Sequence, residues 1–491
     1  MKNIFSNSIS QTKISYLNFY FYSYLFFIIL QLSQTLVPYS HGDALYYHLV
    51  GPKLWKTSNW DSMWEDLSHY AQAGYFDLIY FMPTYLIESK LINQIVCQFT
   101  HFFFSIFLGS ALAFYIIKDP IWSPICGISV LTIANDSSFF FYAKNDGALA
   151  LFSLLLTYLI VTRKYNKYPK ITGILIGIVP GVKISGFLVI FPVVLLLTLH
   201  LFRKEITFKN YFLIGILSLI SLAPQLVKNF VYTGNPLFPG FISILPGNLT
   251  ASMLDHYNTF YRNTMTGEIF IEQLIDFFSG KSVILLTPIF LFFFRKTNRT
   301  ILELYFVGIS IFFLYLIYNG SLLHPRYYFS SYFLVITSIF LLLKNVNFES
   351  KKLILLVFVI SIIDSKIDLS IKNSYTITTD YITLNEEEIL NKYIPITNIW
   401  KFIKPEEEVT YIISDHISNS YYLPKNIRLH TAKQSLGADF ILKCKDKEAL
   451  SKFSKYEYAL ILNDYQNDCY NFIIENGDLI TKSGKLRLYE I

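Results

Sequence analysis

The chain has 491 residues, 53% of them hydrophobic and only 15% charged, with a mean hydropathy of +0.41. A water-soluble fold does not carry so apolar a composition, so a bilayer is the main solvent. Helices must then do the spanning, because lipid forces every backbone group into internal hydrogen bonds. The formal net charge of +6 identifies no partner by itself, since excess Lys and Arg belong first on cytoplasmic loops.

The amino end, MKNIFSNSISQTKIS, is too polar and too poor in small residues for a cleaved signal, and the apolar run behind it is long enough to remain as a helix. The apolar pattern predicts about eleven transmembrane helices, near residues 17–38, 91–117, 121–141, 147–162, 171–182, 185–201, 210–231, 281–294, 300–319, 327–343 and 353–364. Pro180, Gly181 and Gly186 surround Lys183 and break the helical pattern there. Taken alternately, the loops on one side carry Lys2 and Lys13, Lys118, Arg163 to Lys170, Arg203 to Lys209, Arg295 to Arg299, and Lys344 to Lys352. This positive-inside pattern predicts a cytoplasmic amino terminus and an outer tail. The opposite loops gather acids: Asp43, Asp61, Glu65, Asp66 and Asp77 in 39–90, and Asp255, Glu268, Glu272 and Asp276 in 232–280. Solvated loop charge is the ordinary role of such residues.

Polar residues rise at about residue 375, and strand-like runs follow at 409–414, 438–443, 458–463 and 486–491. The expected fold is therefore an all-α polytopic membrane protein with a small C-terminal extracytoplasmic α/β domain. Residues 1–370 form the transmembrane domain with outer loops 39–90 and 232–280, and residues 371–491 form the soluble one. Cys97 and Cys126 lie in apolar segments as small apolar side chains, while Cys444 and Cys469 in the tail leave a disulfide open; no cysteine pair has metal-site spacing.

Three clusters have chemistry to offer. In the first outer loop, His41-Gly42-Asp43-Ala44-Leu45-Tyr46-Tyr47-His48 puts a carboxylate at the membrane surface among hydroxyls and imidazoles. Asp43 there can act as general base, ligate a metal, or cap the amphipathic stretch that follows. The second cluster, Lys144-Asn145-Asp146, opens the helix GALALFSLL, where Asp146 is placed either to cap or to converge as a second acid on the first. Lys183, deep in an apolar run, must face a cavity or partner, or snorkel to the interface. In the third cluster, His324-Pro325-Arg326-Tyr327-Tyr328, Arg326 offers a fork of donors suited to phosphate oxygens or to lipid headgroups.

In their order, GDALYYHL, KNDGALALF, GVKISG, KNFVYTGNPLFP and HPRYYFSSY resemble the glycosyltransferase C superfamily across roughly residues 17–345. That superfamily includes the protein O-mannosyltransferases and the lipid A aminoarabinose transferases. The resemblance implies transfer of a sugar, with inversion, from a polyprenyl-phosphate donor at the outer face, with Asp43 as the base. Ala44 stands where many relatives carry a second acid, which opens the question of a metal. Within that reaction, a catalytic role is also expected for Asp146 beside Asp43, with a divalent cation held by the same two residues, and substrate contacts are expected from Tyr46, His48, Lys183, His324, Arg326 and Tyr327. Expected partners are the lipid-linked sugar, an acceptor glycan, lipid or protein, and membrane lipids; nucleic acid is not among them. The expected location is the cell membrane. A lipid or sugar transporter is the rival class, because broken helices beside a buried lysine also build transport sites, and a noncatalytic scaffold is a third. Inverted repeats would favour the transporter, and the sequence shows none.

Overall fold

A computed structural model of the chain describes residues 2–39, 48–56, 74–133, 143–238, 240, 244–248, 266–279, 284, 298–319, 325–345, 351–363, 367–394, 396–400, 402, 410–414, 422, 427–431, 458–462, 478–483 and 486–490. In chain order the helices are α1 (Lys2–Gln34), α2 (Val50–Lys56), α3 (Asp77–Leu86), α4 (Lys90–His101) and α5 (Leu108–Ile117), the last two joined by a π-helical stretch, Phe102–Phe107. They continue as α6 (Trp122–Leu131), α7 (Asp146–Val161), α8 (Pro169–Val182), α9 (Gly186–Phe202), α10 (Phe208–Thr233), α11 (Gly267–Ser279) and α12 (Arg299–Asn319). After a short 3-10 helix, Pro325–Tyr328, come α13 (Phe329–Asn345), α14 (Lys351–Ile363), α15 (Ile367–Thr383), α16 (Glu386–Tyr393) and α17 (Ile396–Trp400).

Ten of the eleven apolar stretches overlap these helices, and residues 281–294 lie outside the described residues except for residue 284. Among the described residues, three helical stretches, Lys90–Ile117, Phe208–Thr233 and Arg299–Tyr318, are long and apolar enough to cross a membrane. The pattern missed α3, α11, α15, α16 and α17, which are short or amphipathic and fall in segments read as outer loops or tail.

The chain divides into two compact units. The first comprises Met1–Leu36, Gln98–Pro224 and Asn263–Thr376. Its pillar is α13, with fourteen of its 17 residues buried, packed against α12, α7, α6 and α5. Small residues let these helices approach, as lipid-embedded packing requires. A Cβ at Gly109 would run into the Phe333 ring, and one at Gly127 would lie 2.6 Å from Tyr24. Gly173 and Gly177, one turn apart on α8, face α10, where a Cβ at Gly173 would meet the Ile214 carbonyl at 2.7 Å. By contrast, only 17% of the apolar window of α10 is buried, and Phe212, Leu219 and Ile220 are exposed, as a helix bathed in hydrocarbon requires.

Where α7, α9 and α12 end or begin, a charged network ties the unit together. Arg163 gives a two-pronged contact to Glu303 at 2.7 and 2.9 Å and a third bond to Glu205 at 3.0 Å. Arg299 bonds the same two carboxylates, and buried His200 sits between Tyr165 at 3.1 Å and Glu303 at 3.2 Å.

The second unit comprises Val37–Cys97, Gln225–Arg262 and Ile377–Ile491. Its five strands are β1 (Thr410–Ser414), β2 (Ile427–Thr431), β3 (Tyr458–Leu462), β4 (Asp478–Ser483) and β5 (Leu486–Glu490), arranged in the order β2-β1-β3-β5-β4. β1 pairs in parallel with β2 and β3, β5 runs antiparallel to β3 and β4, and a bulge falls between Leu479 and Thr481. The run at 438–443, and Cys444 and Cys469, lie outside the described residues.

Burial would raise the Glu205 carboxyl, but hydrogen bonds from Arg299 and Arg163 outweigh it and hold the group below its ordinary value of 4.5. A carboxyl depressed on folding adds stability that is present above its unfolded pKa and lost as pH falls through the folded one. Glu205→Gln should therefore cost about 1–3 kcal/mol near neutrality, the worth of hydrogen bonds to a charged group. The cost should shrink as pH drops below 4.5. Thermal unfolding in detergent across pH checks this, and equal midpoints for both proteins at pH 7 would contradict it.

Candidate active site

The first constellation, wholly within the first unit, forms around the break between α8 and α9. Lys183 is extended, at φ −155° and ψ 136°, so α8 stops and its last carbonyls need donors. Asn145 supplies one, its Nδ2 donating to the Val182 carbonyl at 3.0 Å. The ammonium of Lys183 pairs with the Asp146 carboxylate and lies 5.0 Å from the centre of the Tyr327 ring. Tyr327 stacks on Tyr315 at 6.0 Å, and the buried Tyr315 hydroxyl donates to Ser185 Oγ and the Ser185 carbonyl at 3.2 and 3.3 Å. Asp146 and Tyr327 thus meet the lysine, and Asn145 and Tyr315 hold the residues on both sides of it. The Asp146 and Lys183 side chains keep 8% and 19% of their exposure, so the pair is shielded without being sealed.

Asp146 is the first residue of α7, behind Asn145, whose own side chain makes no capping bond, and its carboxylate pairs with Lys183. Gly147, next in line, lets α7 close on the π-helical stretch, where its Cβ would lie 2.7 Å from Ser105 and 3.2 Å from His101 Nε2.

The second constellation lies within the second unit. His48 Nδ1 meets Asp77 Oδ1 at 2.5 Å, and the Gly74 amide donates to Asp77 Oδ2 at 2.7 Å. Both side chains are buried, Asp77 completely. The turn after α10 is fastened from within: Asn229 Nδ2 donates to the Phe238 carbonyl at 3.1 Å and Asn235 Nδ2 to the Gly240 carbonyl at 2.9 Å.

Of the expected site residues, Asp146, Lys183 and Tyr327 come together, and His48 joins Asp77. Asp43, Tyr46 and His324 lie outside the described residues, as does the side chain of Arg326. The backbone of Arg326 belongs to the turn Pro325–Tyr328, directly before Tyr327. Asp77, read from sequence as solvated loop charge, is buried, because α3 folds a segment read as loop. Asn145 could have been found beside Asp146, whereas Tyr315 and Ser185 gave no local signal.

The arrangement of these helices is one already seen among solved structures. Among solved structures, the chain is similar to crystal structures of ArnT from Cupriavidus metallidurans. The one bound to undecaprenyl phosphate matches with a TM-score of 0.63 at 12% identity, over 97% of this chain and 98% of that one. The apo structure matches with 0.64 at 11% identity, over 96% and 98%. At these identities the likeness is one of fold. No protein-family model and no curated protein matches the sequence.

A Cβ at Gly186 would strike the Val179 carbonyl and lie 2.8 Å from the Pro180 Cα, both backbone, so the break closes only around glycine. Gly186→Ala should therefore force α8 and α9 apart and cost about 1–3 kcal/mol as overpacking. Gly215→Ala, where nothing lies within 4 Å, is the control and should cost little. Thermal unfolding of the two variants checks the difference.

Proposed function

We propose that the chain is a membrane glycosyltransferase that takes a sugar from a polyprenyl-phosphate donor at the outer face of the cell membrane. The observation that carries this reading is the cation at the helix break: Lys183, oriented by Asp146 and Tyr327, one residue of chain from Arg326. An ammonium has three donors, and Asp146 occupies one. The others suit phosphate oxygens, and the fold shared with an undecaprenyl-phosphate-bound enzyme supports that ligand class.

In the proposed reaction Asp43 accepts the proton of the acceptor hydroxyl as its oxygen attacks the anomeric carbon from the face opposite the phosphate. The bond to the phosphate oxygen breaks with inversion, and its electron pair leaves with the lipid phosphate. Lys183 and Arg326 meet that growing charge, with His324 as a donor, since preorganised positive groups at a developing charge supply the largest catalytic share. Tyr46, His48 and Tyr327 contact substrate. Asp146 acts through Lys183, holding the ammonium in place. A divalent ion held by Asp43 and Asp146 would share the Asp146 carboxylate with Lys183. The amino terminus is cytoplasmic in this reading, and the C-terminal α/β domain outside.

The test is release of polyprenyl phosphate from a labelled lipid-linked sugar pool by the full chain in vesicles. Lys183→Gln should lower kcat by about 10²–10³-fold, the range for removing one preorganised donor. Release absent from the wild type across such a pool, or undiminished in the Gln variant, would overturn the reading. Sidedness has its own check: in intact cells, cysteine at exposed Lys167 should be shielded from a membrane-impermeant thiol reagent, and cysteine at exposed Leu479 should react.

A further inference from the structure

Asn145 stands directly before α7, where an asparagine oxygen ordinarily accepts a hydrogen bond from an amide of the helix's first turn. Its side chain makes no such bond. Nδ2 is committed to the Val182 carbonyl at 3.0 Å, which also settles the orientation of the amide, since Oδ1 in that place would set two acceptors together. Among the described residues nothing donates to Oδ1, although the atom is buried and the whole residue is only 2% exposed. A buried acceptor in that condition is rare in native proteins and calls for a donor from outside the chain, a water or a ligand.

The oxygen lies within the first constellation. Asn145 and Asp146 are adjacent in the chain, and so are Val182 and Lys183, the residues they hold. The ammonium and the amide oxygen make opposite demands. An ammonium only donates and suits an ionised phosphate, whereas an amide oxygen only accepts, and an ionised phosphate has nothing to give it. A neutral hydroxyl does. A sugar phosphate carries the two groups a few bonds apart, so one ligand can meet both demands.

We propose that Asn145 Oδ1 accepts a hydrogen bond from a hydroxyl of the donor sugar and so helps to set which sugar is transferred. The inference rests on the glycosyltransferase reading above. Lys183 holds the phosphate, and Asn145 reads the ring attached to it. The Lys183 and Asp146 side chains keep part of their exposure, and an ammonium drawn toward the phosphate opens this corner to the ring that follows.

The experiment uses the full chain in vesicles and measures polyprenyl phosphate release from synthetic polyprenyl-phosphate hexoses and pentoses. The best donor is then remade with each ring hydroxyl in turn replaced by hydrogen or by fluorine, neither of which can donate. These replacements shift the reactivity of the anomeric carbon in opposite directions, so a fall with both reports the lost hydrogen bond. At one ring position both should lower kcat/KM of the wild type by about 10- to 100-fold, as expected when a buried acceptor loses its donor. Asn145→Ala, which removes the acceptor, should be slow with the parent donor and should no longer distinguish it from the two analogues. Asn145→Asp keeps an acceptor oxygen and loses the donor to Val182, so it should still distinguish them. Both variants lose that brace and should unfold at lower temperature, so discrimination, rather than stability, separates them.

A wild type that handles every analogue like the parent overturns the proposal and leaves water as the partner of Oδ1. Discrimination that survives in Asn145→Ala overturns it too, as does discrimination lost alike in the Ala and Asp variants, which marks a brace alone. If Asn145→Ala fails to fold, the wild type and Asn145→Asp still decide, since indifference in either one sinks the idea. A wild type that releases no polyprenyl phosphate from any donor overturns the glycosyltransferase reading, and this inference with it. An active wild type indifferent to every replacement overturns this inference alone.

Discussion

The pairing of Lys183 with Asp146 constrains everything around it. An isolated ammonium among helices of this composition is expensive, and removing one partner of a buried pair costs about 3–5 kcal/mol, because the other is left uncompensated. The break between α8 and α9, the start of α7 and the turn before α13 must therefore be brought to one place. Asn145 and Tyr315 brace the break from its two sides, and Gly186 gives it room. Tyr315 and Gly186 are a polar and a small residue in helices that apolar patterning alone would have filled with leucine.

The network of Arg163, Glu205, Arg299 and Glu303 works by the same physics at a different address. There two guanidinium forks and two carboxylates satisfy one another, and His200 is drawn in beneath them. Charge that a loop-by-loop reading assigns to topology is thus also structural. Arg163 can serve as a positive-inside residue and still spend its donors on Glu303. Between these polar anchors, van der Waals contact does the rest: α13 is enclosed by neighbours admitted at glycines, while α10 keeps most of its apolar surface outward.

The sequence was most legible where period and length speak. Long apolar runs located most of the helices, although α1 begins at Lys2, well before the apolar run at 17–38, and the glycines and proline around Lys183 marked the break between α8 and α9. Asp146 and Lys183 were visible as residues that needed a reason. What could not be read is long-range. Nothing near Tyr315 says that its hydroxyl will meet Ser185, 130 positions away. Asp77 looked like any loop acid because its burial depends on a helix of only ten residues whose apolar face faces both neighbours and solvent. The strands β2 and β4 were missed for a related reason: IRLHT alternates over only five residues and DLITKS does not alternate, so neither announces itself before its partners are known.

The π-helical stretch Phe102–Phe107 carries a consequence of its own for how this chain tolerates length change. A wide turn stores surplus backbone, and closing it by one residue would turn everything beyond it by about 100°, the angle each residue advances in an α-helix. Gly109 would swing away from Phe333, and a bulkier neighbour would arrive in its place. Ser105 would leave the flank of Gly147, the residue after Asp146. A single deletion here would therefore be felt at two interfaces on opposite sides of the turn, although no charged group had been touched. The phase of this one helix is a quantity that substitutions cannot alter and that insertions or deletions alter all at once.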